Sequence, residues 1–287
     1  MRILIAVYGS TYDEAAVSLG AQIARRARVA PTLMAVVSHH DNNADGLLAR
    51  ARQSLARERS DAETRVEAGS VVDRALRVAR EGEYELVVVG EGEDPHSVLR
   101  LWQDPVGVRM AKDAPCPVLV VKGQARTIQR ILLCDSGAGN PAISPFPGEF
   151  TQNNGAATPL HRFATRLVEL LAGDEEVTVL HVMSQMSARP GVRGTQLRAD
   201  AQELMQEHTP EGELLEADVQ MLTLPGVRCS AAVRHGLVVD EIVAQARDGD
   251  HDLVMIGAHR APGWQRFLLD DLTSHIVRQV DRPVLVV

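Results

Sequence analysis

Four consecutive residues, Gly257, Ala258, His259 and Arg260, close an apolar run, and two aspartates, Asp270 and Asp271, follow shortly after. The chemistry open to this set is anion recognition. A glycine and a small neighbour let backbone N–H groups approach a phosphate, and His259 and Arg260 add side-chain donors. Arg266 brings a second guanidinium. The two aspartates oppose this, because carboxylates facing a triphosphate repel it, unless Arg260 and Arg266 pair with them. A second stretch, Asp135, Ser136 and Gly137 in DSGAG, sets a carboxylate and a hydroxyl beside glycine. One short glycine-containing loop is a weak phosphate signal. Ser136 has no histidine base in triad-like arrangement. His39, His40 and Asp41 have metal-ligand chemistry but no third ligand at recognisable spacing, and read as a solvated loop. His181, inside TVLHV, reads as a strand residue with a satisfied ring. No catalytic constellation emerges, so binding rather than catalysis is the expectation.

The elements that must position these residues occur twice. Residues 116–121 read CPVLVV and residues 282–287 read RPVLVV. Residues 71–90 and 238–257 match without a gap at an offset of 167, identical at nine of twenty positions, and RILIA at 2–6 matches RILLC at 130–134 at an offset of 128. One domain is written twice. The offset grows from 128 to 166, so the second copy is 38 residues longer. The extra length is assigned to 137–159, rich in Gly, Pro and Asn, and to 184–218, with a helix near 195–207. The boundary falls in the polar linker 122–127, giving domains 1–124 and 125–287.

Within each copy, short Val/Ile/Leu runs alternate with stretches of helical spacing. The runs of the first are 3–7, 33–37, a weak one near 64–68, 86–89 and 118–121. Ala16, Leu19, Ile23 and Ala27 mark its first helix, and Phe163, Leu167 and Leu171 mark the counterpart in the second copy. Continuous apolar runs between helices are buried parallel strands, so the fold class is α/β with helices on both faces of each sheet. A terminal strand with an exposed edge is a liability. Val118–Val121 is therefore expected to pair antiparallel with 284–287 across a pseudo-twofold axis.

Lys and Arg number 30 against 38 Asp and Glu, a net charge of −8, which disfavours nucleic acid and anionic membrane as partners. The N-terminal apolar run of five residues, Ile3 to Val7, is too short for a signal-peptide core or a membrane span. The three cysteines, Cys116, Cys134 and Cys229, fit no zinc or disulfide framework. A cytoplasmic location is the expectation.

RILIAVYGSTYDEAAVSLGAQIARRA at the start, TVLHVMS at 178–184, VVDEIVAQARDGDHDLVMIGAHR from 238, and DAPCPVLVV and VDRPVLVV at the ends of the halves resemble the universal stress protein family, over essentially the whole chain as a tandem pair. The resemblance implies two flavodoxin-like domains of five parallel strands joined through their last strands. It implies a stress-response role and an adenine nucleotide (ATP, ADP or AMP) as the ligand to test. In that pattern an acidic residue ending strand one holds the adenosine. A glycine follows strand four, a second comes three positions on, and Gly-Ser or Gly-Thr opens the last helix after nine more residues.

Both halves depart from the pattern. In the second, Asp135 takes the acidic role if one deletion is allowed, Gly257 is present, Arg260 replaces the second glycine, and Asp270 and Asp271 replace Gly-Ser. In the first, Tyr8 replaces the acid, Gly90 and Gly92 lie among Glu91, Glu93 and Asp94, and Asp104 and Pro105 occupy the Gly-Ser position. The nucleotide sites are thus degenerate, the second half keeping more of the pattern. The alternatives are a nucleotide-dependent switch or weak ATPase, and a purely structural module that binds protein partners through the insertions. Asp104 and Asp270 or Asp271 are expected to cap their helices. The loop 137–159, with Phe146 and Phe150, is a lid, a plug or a mobile surface loop.

Overall fold

The computed structural model describes residues 1–37, 43–92, 104–123, 127–137, 158–171, 173–183, 198–258 and 265–287, with 265–271 by backbone alone. Two compact units form, one from Met1–Thr127 with Val280–Val287, the other from Ile128–Gln279. The first contains β1 (Ile3–Val7), α1 (Asp13–Arg26), β2 (Thr32–Val37), α2 (Ala44–Arg57), β3 (Glu63–Ala68), α3 (Val71–Glu81), β4 (Leu86–Gly90), α4 (Val106–Asp113) and β5 (Val118–Val121). The second contains β6 (Arg130–Cys134), α5 (Pro159–Leu171), β7 (Glu176–Met183), α6 (Ala201–Gln206), α7 (Pro210–Leu222), β8 (Arg228–His235), α8 (Val238–Asp248), β9 (Leu253–Ile256) and α9 (Gln265–Gln279). The last strand, β10 (Val284–Val286), belongs to the first unit.

In the first unit the strands run β3-β2-β1-β4-β5, all parallel, with Ile5 opposite Leu33 on one side and Val88 on the other. In the second the order is β8-β7-β6-β9, again parallel. β1 and β4, and β6 and β9, therefore flank the points where the strand order reverses, the place where open α/β sheets receive ligands. Every residue of β1, β4, β5 and β9 is buried. That is why these runs carry no polar alternation. β3 is largely exposed at its start, Glu63–Val66, which explains its weak apolar signal.

β10 pairs antiparallel with β5: Val284 with Val120, Leu285 with Leu119, Val286 with Val118. The expected strand contact is present, and the edge of β5 is covered. The second unit accordingly holds four parallel strands of its own, its fifth lying with the first.

Two expectations about caps are corrected. Pro105 is the N-cap of α4, with no side-chain cap bond, and Asp104 instead meets Lys112 Nζ at 3.0 Å. A cation two turns along the helix competes successfully for that carboxylate. Asp270 and Asp271 lie inside α9, which already starts at Gln265. Gln265, Arg266, Phe267 and Leu268 are sound helix formers and extend the helix upstream of the aspartates. In the second insertion the helix begins at Ala201, because Asp200 and Glu203 form a reciprocal capping box.

Candidate functional site

The strand crossing of the first unit is filled by its own residues. Tyr8, at the end of β1, is 1% exposed, and its hydroxyl donates to Gly90 O at 2.7 Å. Ser10 Oγ donates to Glu91 O, also at 2.7 Å. A Cβ on Gly90 would lie 2.8 Å from the Tyr12 carbonyl carbon, so only glycine admits the β1–α1 loop this closely. Asp13, the first residue of α1, ties that loop down: Oδ2 accepts the N–H groups of Tyr8 at 2.8 Å and Gly9 at 2.7 Å. Its Oδ1 is buried with no hydrogen-bond partner among the described residues. Burial outweighs the bonds from Gly9 and Tyr8 and pushes the Asp13 carboxyl up to about 6.

Beside this loop, between α1 and α2, is a cavity of about 600 Å³. Its wall includes Ser10, Asp13, Leu47, Arg50, Ser54 and Arg57. Both guanidiniums come from α2, one at each end of the Ser54 segment, while Asp13 faces them from α1.

In the second unit the corresponding space, between α5 and α7, holds a buried cluster. His161 Nε2 lies 2.8 Å from Asp135 Oδ2 and 3.0 Å from Asp218 Oδ1. Asp135 follows β6, His161 sits in the first turn of α5, and Asp218 is on the core-facing stripe of α7 with Leu215 and Leu222. The Gly137 N–H donates to Asp135 Oδ1 at 2.9 Å, and His181 Nδ1 lies 3.0 Å from the Asp135 carbonyl. Thr158 and His161 cap α5 reciprocally: the His161 N–H donates to Thr158 Oγ1, and the Thr158 N–H donates to His161 Nδ1.

Two influences meet on the imidazole. Burial disfavours its charge, yet hydrogen bonds to Asp135 and Asp218 outweigh burial and lift His161 to about 10. The Thr158 amide pulls the other way, favouring a ring whose proton sits on Nε2. Burial would raise Asp135, but the His161 bond and charge and the Gly137 N–H hold it below the usual range. Asp218 keeps the burial penalty and rises to about 6. Its Oδ2 is buried without a partner among the described residues. Cys229 is pushed up to about 11 by burial and then by the Asp218 charge, so its thiol is no ready nucleophile.

The sequence-derived residues are thus partly assembled. Asp135 and Ser136 stand at the end of β6, and Gly257 and Ala258 follow β9, the strand paired with β6. Among the described residues, a Cβ on Gly257 would meet nothing nearer than Leu160 at 3.8 Å. His259 and Arg260 lie outside the described residues, as do His39, His40, Asp41, Glu93, Asp94 and most of the loop 137–159. The side chains of Arg266, Asp270 and Asp271 are likewise outside them. His181 is a buried strand residue with its ring engaged, as expected. Sequence reasoning missed His161 and Asp218. The signal for Asp218 was present: an acid at i+3 from Leu215 and i−4 from Leu222 breaks an otherwise apolar stripe. The signal for His161 was Thr158 three residues upstream, a helix-start pattern.

Two parallel α/β units, each with its reversal point beside a first-strand loop, define a tandem chain of flavodoxin-like α/β domains. The family model described as "Universal stress protein family" matches residues 1–122 and 153–287, and the chain belongs to that family. Universal stress protein G of Shigella flexneri is 31% identical over 126 residues, spanning 43% of this chain and 86% of that protein. The Escherichia coli O157:H7 protein of the same name matches to the same extent, 31% over 126 residues. Among solved structures, a universal stress protein from Archaeoglobus fulgidus DSM 4304 covers 99% of this chain and 95% of its own, with a TM-score of 0.64 and 15% identity. That likeness concerns the fold.

Proposed function

We propose that this chain is a stress-response binding and regulatory protein whose two switch-point clefts are held by its own side chains, and that it is not an enzyme. The repeats, placed at 1–124 and 125–287, would then act as a scaffold for recognition. The observation that carries this is the Asp135 carboxylate, 2.8 Å from His161 Nε2. It is the acid that would face a ribose in the unit closer to the family pattern, and it is already spent. Tyr8 closes the equivalent place in the other unit through its bond to Gly90.

The test is mass spectrometry of small molecules released by denaturing freshly purified protein, followed by thermal shift at millimolar ATP. The expected outcome is no stoichiometric nucleotide and no shift. Stoichiometric ATP, ADP or AMP would overturn the reading. It would favour a site in the second unit built from Asp135, Ser136, Gly257, Ala258, His259 and Arg260, with Asp270 and Asp271 near the phosphates.

One observation favours a second reading, a nucleotide-dependent switch: the cavity of about 600 Å³ carrying Arg50 and Arg57. Drug-sized and nucleotide-sized ligands need spaces of this order. An ATP-induced shift abolished by Ser54→Trp but retained in Asp135→Asn would assign the ligand to the first unit.

A further inference from the structure

We propose that Asp135, His161 and Asp218 form a site for one divalent transition-metal ion of zinc's size and ligand preference. The inference shares Asp135 with the proposed function, and metal uptake is read separately from nucleotide binding.

Among the described residues, these three offer one ligand atom each, all within 4.8 Å of one another. One imidazole nitrogen and two carboxylate oxygens make a donor set that Zn²⁺ and its first-row neighbours accept. Three protein ligands leave a fourth position for water or a guest. Tetrahedral metal–ligand bonds of about 2.0–2.2 Å place ligand atoms roughly 3.3 Å apart. The present separations, 2.8 Å and 3.0 Å from Nε2, need only a few tenths of an ångström of outward movement.

Burial and charge supply the second, independent argument. Asp218 is 2% exposed, and its Oδ2 has no partner among the described residues. Two carboxylates share a single imidazole in this buried place, more acid than base, and burying unbalanced charge is costly. A divalent cation with a neutral ring balances both carboxylates and gives the orphaned oxygen its reason to be there. The outer contacts have the form of a supported site. Gly137 N–H fixes the other oxygen of Asp135, and His181 fixes its carbonyl. The ions compete with the proton between Nε2 and the carboxylates. Binding displaces the proton from Nε2 and leaves the neutral ring's one proton on Nδ1, at the expense of the 3.2 Å contact from the Thr158 N–H.

The experiment uses the full chain, stripped with chelator and titrated with Co²⁺ as a spectroscopic probe, then with Zn²⁺ and elemental analysis after dialysis. The expected result is one ion per chain, a visible Co²⁺ ligand-field band bleached by Zn²⁺, and a raised melting temperature. His161→Gln and Asp218→Asn should each weaken uptake at least tenfold, while Asp240→Asn on α8 leaves it unchanged. Asp218→Asn preserves shape and removes only charge, so it keeps the test valid if the histidine variant folds poorly. No stoichiometric uptake at micromolar metal would overturn the proposal, leaving a proton-sharing cluster. Uptake undiminished in both variants would overturn it equally, by placing the metal elsewhere.

Discussion

Asp13 and Asp135 lie in corresponding strand-to-helix connections of the two repeats, Asp13 at the helix end and Asp135 at the strand end, and they are held differently. Asp13 accepts two backbone N–H groups and leaves one oxygen buried, with no partner for it among the described residues. Asp135 gains an imidazole. The difference should appear in the pH dependence of stability. The folded Asp13 carboxyl titrates near 6, above its ordinary 3.8. Between those values the folded state holds more protons than the unfolded one, so stability falls as pH rises through this window and stays lower above it. The cost at neutral pH is at most about 3 kcal/mol. Asn keeps an oxygen for the Tyr8 and Gly9 amides and removes the charge. Asp13→Asn should therefore flatten the slope between pH 4 and 6, and add about 1 kcal/mol at pH 7. Asp13→Ala should lose about 2 kcal/mol, because two amides go unpaired. Urea midpoints at pH 4.5 and 7, compared with the parent, check all three, and an unchanged slope in the Asn variant would refute the assignment.

At the scale of elements, the repeat makes a controlled comparison between α3 and α8. Ser70 caps α3, its side chain accepting from the Asp73 N–H. Leu237 holds the corresponding position at α8, caps nothing, and is 62% exposed. Its backbone, φ −76 and ψ 125, already has the extended form of a cap residue. Leu237→Ser should therefore gain about 1 kcal/mol, and Ser70→Ala should lose about the same. Chemical denaturation of the two variants is the check, and a destabilised Leu237→Ser would show that the exposed leucine has a partner to cover. This pair also shows what the sequence could disclose. Helices and strands were legible because each has its own apolar period, and the duplication repeated the evidence. The caps at 104 and 270–271 were misread because cap identity depends on where the first helical turn forms. That is decided by Lys112 in one case and by the upstream residues 265–268 in the other. Asp135 was legible as a candidate from its place after the first strand of the second repeat. His161 and Asp218 meet it only through folding, from positions 26 and 83 residues away along the chain. No local spacing reports such a meeting.

For the whole molecule, the strand register carries the argument. Leu119 lies opposite Leu285, which is its own counterpart at the repeat offset of 166. An antiparallel pairing that sets a residue against its own equivalent is self-complementary, the strand-level form of an isologous contact. The same register would therefore serve two copies of β5. In the intact chain β10 occupies that edge. Among the described residues, 1–127 hold the five parallel strands and four helices of the first unit, without this cover. An uncovered, wholly apolar edge strand recruits another. The fragment 1–127 should accordingly form a dimer centred on Leu119 against Leu119, and the chain shortened to 1–283 should associate through the same edge. Light scattering after gel filtration measures both, with circular dichroism to verify folding. Amide exchange gives the finer readout: protection at Val118–Val121 should persist in the fragment dimer and fall on dilution to monomer. A fragment that stays folded and monomeric at tens of micromolar would show that β5 tolerates an open edge. The antiparallel pair would then owe its register to the rest of the chain and not to the duplicated PVLVV segments themselves.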